Sequence, residues 1–135
     1  MKSIHTTATF DNWFSQLKDR KAFFRIEARI DRAEGGLMVQ KLNKWDSAQH
    51  LKTEEDIVAY FEACLEEAGD DASFIAKALG NIARARGMTQ LAKDTGLGRE
   101  SLYKALSGEG NPSFDTILKV THALGLQFRA AALNT

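Results

Sequence analysis

Apolar residues recur at helical spacing along most of this chain. Phe10, Trp13, Phe14 and Leu17 mark one side of a first helix, with Thr9 or Asp11 able to cap it. Asp19 opens a second helix that the pattern carries to Glu34. Its predicted apolar side is Phe23, Ile26, Ile30 and Ala33, and Gly35-Gly36 ends it. Two such helices form a hairpin too small to bury an adequate core, so they need another surface. Residues 3–9 fit a short strand or a frayed start. Residues 37–52 are weakly periodic and read as a connector that holds Trp45, Asp46 and His50. Thr53 followed by Asp56 resembles a capping box, although Glu or Gln is usual at the later position. Ile57, Phe61, Cys64 and Ala68 then share one face of a helix closed by Gly69.

The second half is patterned more tightly. Asp71 caps a helix over 72–86, with Ile75, Leu79, Ile82 and Ala83 inward and Gly87 as its stop. Two short helices follow, over 89–95 and 98–106, with Gly96 between them where a turn favours a left-handed residue. Residues 107–112 are a turn by composition. Pro112 suits the first position of the next helix, which carries Phe114, Ile117, Leu118, Thr121 and Leu124 and ends at Gly125. Leu126, Phe128 and Ala130 alternate with polar residues, which allows a short terminal strand.

Composition adds limits. The 135 residues are 44% hydrophobic and 27% charged, which fits a folded soluble chain. The formal net charge is +0, but it is unevenly spread. Residues 1–41 hold 8 basic and 5 acidic side chains, residues 42–80 hold 3 and 9, and residues 81–135 hold 7 and 4. The single cysteine, Cys64, permits no internal disulfide or structural zinc site and reads as a buried thiol. No secretory or long apolar run is visible, so no membrane partner is expected and the expected setting is the cytoplasm.

The densest chemistry lies over 88–105. Leu91, Ala92, Gly96, Leu97 and Leu102 fit two short helices packed through a tight turn. Arg99, Glu100, Tyr103 and Lys104 are left outside. Arg99 can pair bidentately with guanine, Glu100 can accept from a cytosine amino group, and Lys104 can reach a base edge or a phosphate. Gly98 and Ser101 allow close approach of backbone amides to phosphate. Glu100 can instead pair with Lys104 one turn on.

Residues 72–128 resemble the helix-turn-helix domain of phage repressors and the Xre family, including HigA-type antitoxins. The resemblance rests on Leu91-Ala92…Gly96, the helix start from Arg99 to Leu102, and Asn111-Pro112-Ser113-Phe114…Leu118…Ala123-Leu124-Gly125. It implies an all-α, five-helix, lambda-repressor-like domain that binds double-stranded operator DNA as a homodimer. Arg99, Glu100 and Lys104 match the base-contacting positions, while Gly98 and the loop carrying Asn111 and Ser113 match phosphate contacts. A closer resemblance, over about residues 38–128, is to addiction-module antidote proteins. Lys44-Trp45-Asp46-Ser47-Ala48…His50-Leu51-Lys52-Thr53-Glu54-Glu55-Asp56-Ile57 carries it, continuing through Glu66 to Asp71, Ala78 to Gly87 and Gly96 to Phe114. This implies an antitoxin that binds its toxin and represses its own operon. Residues 1–36 are similar to the opening of a RelE/HigB-like toxin, on Phe10…Trp13…Leu17-Lys18-Asp19…Ala22…Ile26…Arg29-Ile30…Arg32…Gly35. The sheet that carries that family's RNase residues is absent. The expected organisation is therefore a toxin-like helical remnant over 1–36, a connector and acidic helix over 37–70, a helix-turn-helix domain over 71–128, and a tail over 129–135.

Other classes fare worse. His5, His50 and His122 fall in separate elements with no metal or nucleophile pattern, so neither an enzyme nor a cofactor is expected. A protein-interaction module binding a RelE-like toxin without regulating DNA is the competing reading, as is a phage-type regulator unrelated to a toxin. The acidic helix 54–67 can bind a basic toxin or simply face solvent. Trp13, Phe14, Phe23 and Phe24 can bind a partner or close a local core.

Overall fold

Asp19 begins the described chain by capping a helix. Its carboxylate accepts from the amides of Lys21 at 3.0 Å and Ala22 at 3.3 Å, satisfying donors that a helix start leaves free. The computed structural model describes residues 19–33 and 46–133. The expected helix at Phe10–Leu17, the Gly35-Gly36 stop and Trp45 of the connector lie outside them. Helix α1, Arg20–Ala33, buries Phe24, Glu27, Ala28, Ile30 and Asp31. Of its predicted apolar side only Ile30 is fully buried; Phe23, Ile26 and Ala33 are half-buried. The helix is turned so that two carboxylates face inward, because partners for them wait on the facing elements.

A 3-10 turn, Ser47–His50, follows Asp46, whose side chain caps it by accepting from the Ala48 amide at 3.1 Å. Helix α2, Glu54–Ala68, starts in a true capping box. Thr53 Oγ1 accepts from the Asp56 amide, and Asp56 Oδ2 accepts from the Thr53 amide, both at 3.1 Å. The aspartate therefore serves where a longer acid is usual. Cys64 is fully buried on this helix, and burial pushes its thiol well up. Helix α3, Ala72–Arg86, is capped by Asp71, which accepts from the Phe74 amide at 3.1 Å. Ile75, Leu79, Ile82 and Ala83 are all buried, as their spacing predicts. Short helices α4, Met88–Thr95, and α5, Arg99–Ala105, come next, then α6, Phe114–Ala123.

Among the described residues the fold is all-α, with six α-helices, one 3-10 turn and no strand. One buried cluster runs from Phe24 to Leu124. In it α1 packs on α2, α2 on α3, and α3 also carries the 3-10 turn, α4 and α6. No helix among the described residues is long and apolar enough to cross a membrane.

Two local expectations are corrected, and the structure adds the facing of α6. The residues from Leu126 to Ala130 are not a strand, since no strand among the described residues pairs with them. They leave α6 through a Schellman arrangement: Gly125 at φ 78°, with the Leu126 amide donating to Thr121 and the Gly125 amide to His122, both at 3.0 Å. Phe128 then meets Phe61 edge-on at 5.9 Å. Pro112 does not hold the first helical position, because Ser113 caps α6 by accepting from the Thr116 amide. Phe114 and Leu118 face outward, at 70% and 43% exposure, while Val120, Thr121 and Leu124 turn inward.

Helices α3 and α5 approach closely at Gly80. A Cβ there would sit 2.6 Å from the Leu106 carbonyl oxygen, and a main-chain atom cannot swing away. Gly80→Ala should cost about 1–3 kcal/mol, the usual penalty for overpacking, read as a lower urea midpoint at unchanged slope. An unchanged midpoint would contradict this close approach.

Candidate nucleic-acid interface

The α4–α5 pair is fixed by its turn. Gly96 at φ 75° occupies the left-handed region that side chains disfavour. Its amide donates to Ala92 at 3.0 Å. Thr95 Oγ1 donates to the Leu91 carbonyl at 2.8 Å and accepts from the Leu97 amide at 3.2 Å. Leu91 and Leu102 are buried, Ala92, Leu97 and Ala105 pack beside them, and Leu106 closes the end of α5. With that side of α5 committed to the core, Arg99, Glu100, Ser101, Tyr103 and Lys104 are all exposed.

The other features of the face are visible in its contacts. Gly98, at φ −71° and ψ 152°, precedes α5 and caps it with no side chain, so the helix start is open to an approaching group. Arg99 reaches along the helix to Tyr103, its Nη2 3.3 Å from the phenol oxygen and its guanidinium 5.8 Å from the ring centre. That contact holds the guanidinium extended over the surface. The alternative pairing of Glu100 with Lys104 does not form: among the described residues no ion pair joins them, and the i,i+4 pair that does exist is Asp115–Lys119. The loop after α5 folds back on it, since a Cβ at Gly110 would lie 3.1 Å from the Lys104 carbonyl. Asn111 and Ser113 are exposed at the end of that loop. The Ser113 hydroxyl is engaged as the α6 cap. A groove between α3 and α5, lined by Lys77, Arg84 and Tyr103 among others, continues the surface. The sequence pattern gave no reason to single out Lys77 or Arg84.

A second polar cluster shares Asn81 and Arg84 with that groove and runs from it to α1. Ser47 Oγ donates to Asp31 at 2.6 Å, and the Tyr60 hydroxyl donates to the same carboxylate. Asn81 Nδ2 donates to the Tyr60 oxygen at 2.9 Å. Arg84 Nη2 lies 2.8 Å from Asn81 Oδ1 and 2.5 Å from Asp46 Oδ1. Glu27 Oε2 meets His50 Nδ1 at 2.6 Å, while Glu27 Oε1 is buried without a hydrogen-bond partner among the described residues. Burial pushes the Glu27 and Asp31 carboxyls up, against the lowering effect of His50 on the first and of Ser47 and Tyr60 on the second. Burial alone would lower His50, but the hydrogen bond and charge of Glu27 outweigh it and the net shift is upward. The available clue was spacing: Glu27 and Asp31 sit one turn apart in the stripe of Phe24 and Ala28. Among the described residues no group of three or more His, Cys, Asp or Glu is placed to hold a metal ion. His122 is exposed beside Lys119, and His5 lies outside the described residues.

The sequence comparisons cover the chain from before the 3-10 turn to beyond α6. A family profile described as "Probable addiction module antidote protein" matches residues 41–132. An uncharacterized protein of Haemophilus influenzae is 52% identical over 92 residues, which cover 68% of this chain and 93% of that relative. No solved structure shows a significant match.

The buried cluster sets a pH dependence. Among the described residues the shifts are upward, for Glu27, Asp31, His50, Tyr60 and Cys64. Above the ordinary values of 3.8 and 4.5 for the acids and 6.5 for His50, the folded chain therefore holds protons that the unfolded chain has released. Unfolding free energy must fall as pH rises through that range. The urea midpoint should be lower at pH 8 than at pH 6, and His50→Gln should flatten the part of the decline above 6.5. A midpoint that climbs between pH 6 and pH 8 would contradict the assignment.

Proposed function

Because the chain belongs to the probable addiction-module antidote family, we propose that it is the DNA-binding antidote of a toxin–antidote pair. It acts in the cytoplasm as a homodimeric repressor on the operator of its own operon. As an antidote protein it is not an enzyme. On this reading α4, Gly96 and α5 are the helix-turn-helix of a lambda-repressor-like, Xre-type domain of the HigA kind, and α5 is the recognition helix.

The observation that carries the reading is the division of α5 into two sides. Leu102 is fully buried, while Arg99, Glu100, Ser101, Tyr103 and Lys104 stand in solvent with no ion pair to a neighbour among the described residues. Arg99 reads guanine, with Tyr103 supporting its guanidinium. Glu100 accepts from cytosine, and Lys104 meets a base edge or phosphate. The uncapped start at Gly98 and Ser101 offers amides to phosphate, and Asn111 and the backbone near Ser113 do the same from the loop. One such helix contacts few base pairs, so a second copy places its own α5 in the next major groove, roughly 34 Å away. Phe114 and Leu118, exposed one turn apart on α6 next to that loop, give the second copy an apolar place to pack.

The test is binding of the full chain to the DNA upstream of its own gene and to scrambled DNA, at two salt concentrations. The promoter should win, with affinity falling steeply as salt rises. Arg99→Ala should lose about 1–3 kcal/mol on the promoter only, the worth of a bidentate base contact. Lys104→Ala should weaken both DNAs alike if it meets phosphate. A monomer with no promoter preference at low salt would overturn the repressor. Retained selectivity in Arg99→Ala would overturn only the role given to Arg99.

A further inference from the structure

Helix α1 meets the rest of the chain as one protein meets another. It carries Arg20, Lys21, Arg25, Arg29 and Arg32, whereas α2 carries Glu54, Glu55, Asp56, Glu62, Glu66 and Glu67 and no basic residue. The rim of the contact is ionic. Arg20 pairs with Asp56, Arg25 with Glu66 at 3.4 Å, Arg29 with Glu67 at 3.4 Å, and Arg32 with Glu67 at 3.3 Å. Arg32 also donates to the Glu67 carbonyl at 3.1 Å. The centre is apolar, with Phe24 and Ala28 buried against a surface that includes Tyr60. Two carboxylates, Glu27 and Asp31, plug into hydrogen-bonding partners on the 3-10 turn and α2. An apolar centre, a charged rim and specific polar anchors are the anatomy of an interface.

The family unit supplies the second observation. Its match begins at residue 41, after α1 has ended, yet it contains every element that α1 docks on. The Haemophilus relative is 93% covered by 92 matched residues, so little of it remains to supply a counterpart of α1. In such a protein the acidic, partly apolar face of α2 and the 3-10 turn lacks this occupant.

We infer that this face is the family unit's docking site for an arginine-rich amphipathic helix of a separate protein chain, and that α1 occupies it in cis here. The inference rests on the antidote reading, in which that separate chain is the toxin. It deepens that reading by assigning the surface and the chemistry of the helix it takes: arginines along the rim and two acids one turn apart toward the centre. A tethered occupant at high effective concentration competes with a free one of the same chemistry. This chain is therefore a poor receptor for such a helix while its operator-binding face stays free.

The probe is a fluorescent peptide with the sequence of residues 19–33, acetylated and amidated. It is titrated into the full chain, into the full-length triple variant Arg25→Glu, Arg29→Glu, Arg32→Glu, and into the Haemophilus relative. The substituted arginines are on the surface, so the variant opens the face without touching the core. The peptide should bind the variant and the relative at least about tenfold more tightly than the unaltered chain, and less tightly as salt rises. A control peptide with the same three substitutions should not bind. A full-length Glu27→Lys, Asp31→Lys variant provides a second way to open the face, with cooperative urea unfolding as the check that the remainder is folded. Equal binding to the unaltered chain and the triple variant would overturn occupation in cis. No binding to the relative or to either folded variant would overturn the docking site itself. Promoter binding measured on the same samples separates the readings: its loss with peptide capture intact sinks the repressor and leaves the docking face standing.

Discussion

Asp31 is 4% exposed, and at that depth carboxylate oxygens left unmet are costly. Ser47 and Tyr60 meet them, Asn81 meets Tyr60, and Arg84 ties Asn81 to Asp46. The chain of bonds thus passes from α1 through the 3-10 turn and α2 to α3. Apolar contact would hold these elements together without specifying how they are turned. Hydrogen bonds are directional, and the buried part of such a network loses far more when half-made than it gains when complete. The rotation of α1, which sends Phe23 and Ile26 toward the edge and Glu27 and Asp31 to the centre, follows from that constraint.

Helix α3 transmits the order to the other side of the molecule. Asn81 belongs to the polar network, while its neighbour Gly80 lies against the Leu106 carbonyl at the end of α5. Arg86, on the last turn of α3, donates to the Leu124 carbonyl at 3.0 Å and so holds the end of α6. Helix α3 therefore carries α2 and the 3-10 turn on one part of its surface and meets the end of α5 from another. The outward residues of α5 owe their placement to a scaffold whose most demanding bonds lie elsewhere.

What could be read in the sequence was local. Asp19, Thr53 and Asp71 announce helix starts because a cap needs only its own next few amides. Gly87, Gly96 and Gly125 announce helix ends because a positive φ is a property of one residue. The outward placement of Arg99, Glu100, Tyr103 and Lys104 was legible because Leu102 fixes which way so short a helix must face. The missed features are those decided by distant neighbours. Asp31 finds Ser47 and Tyr60 at separations of 16 and 29 residues, and no periodicity within α1 encodes those partners. Phe114 and Leu118 fit the helical spacing of α6, but its orientation against α3 and α4 decides which apolar residues are covered. Alternation at Leu126 to Ala130 described a segment suited to a sheet, but the described residues offer it no strand to join.

In the proposed function α5 is a recognition helix presented twice to one stretch of DNA. Hydroxyl-radical footprinting of the full chain on its own upstream DNA examines this directly. It predicts two protected patches related by a palindrome, with centres about 10 base pairs or a small multiple of that apart. A single patch, or even protection without register along the fragment, would contradict it.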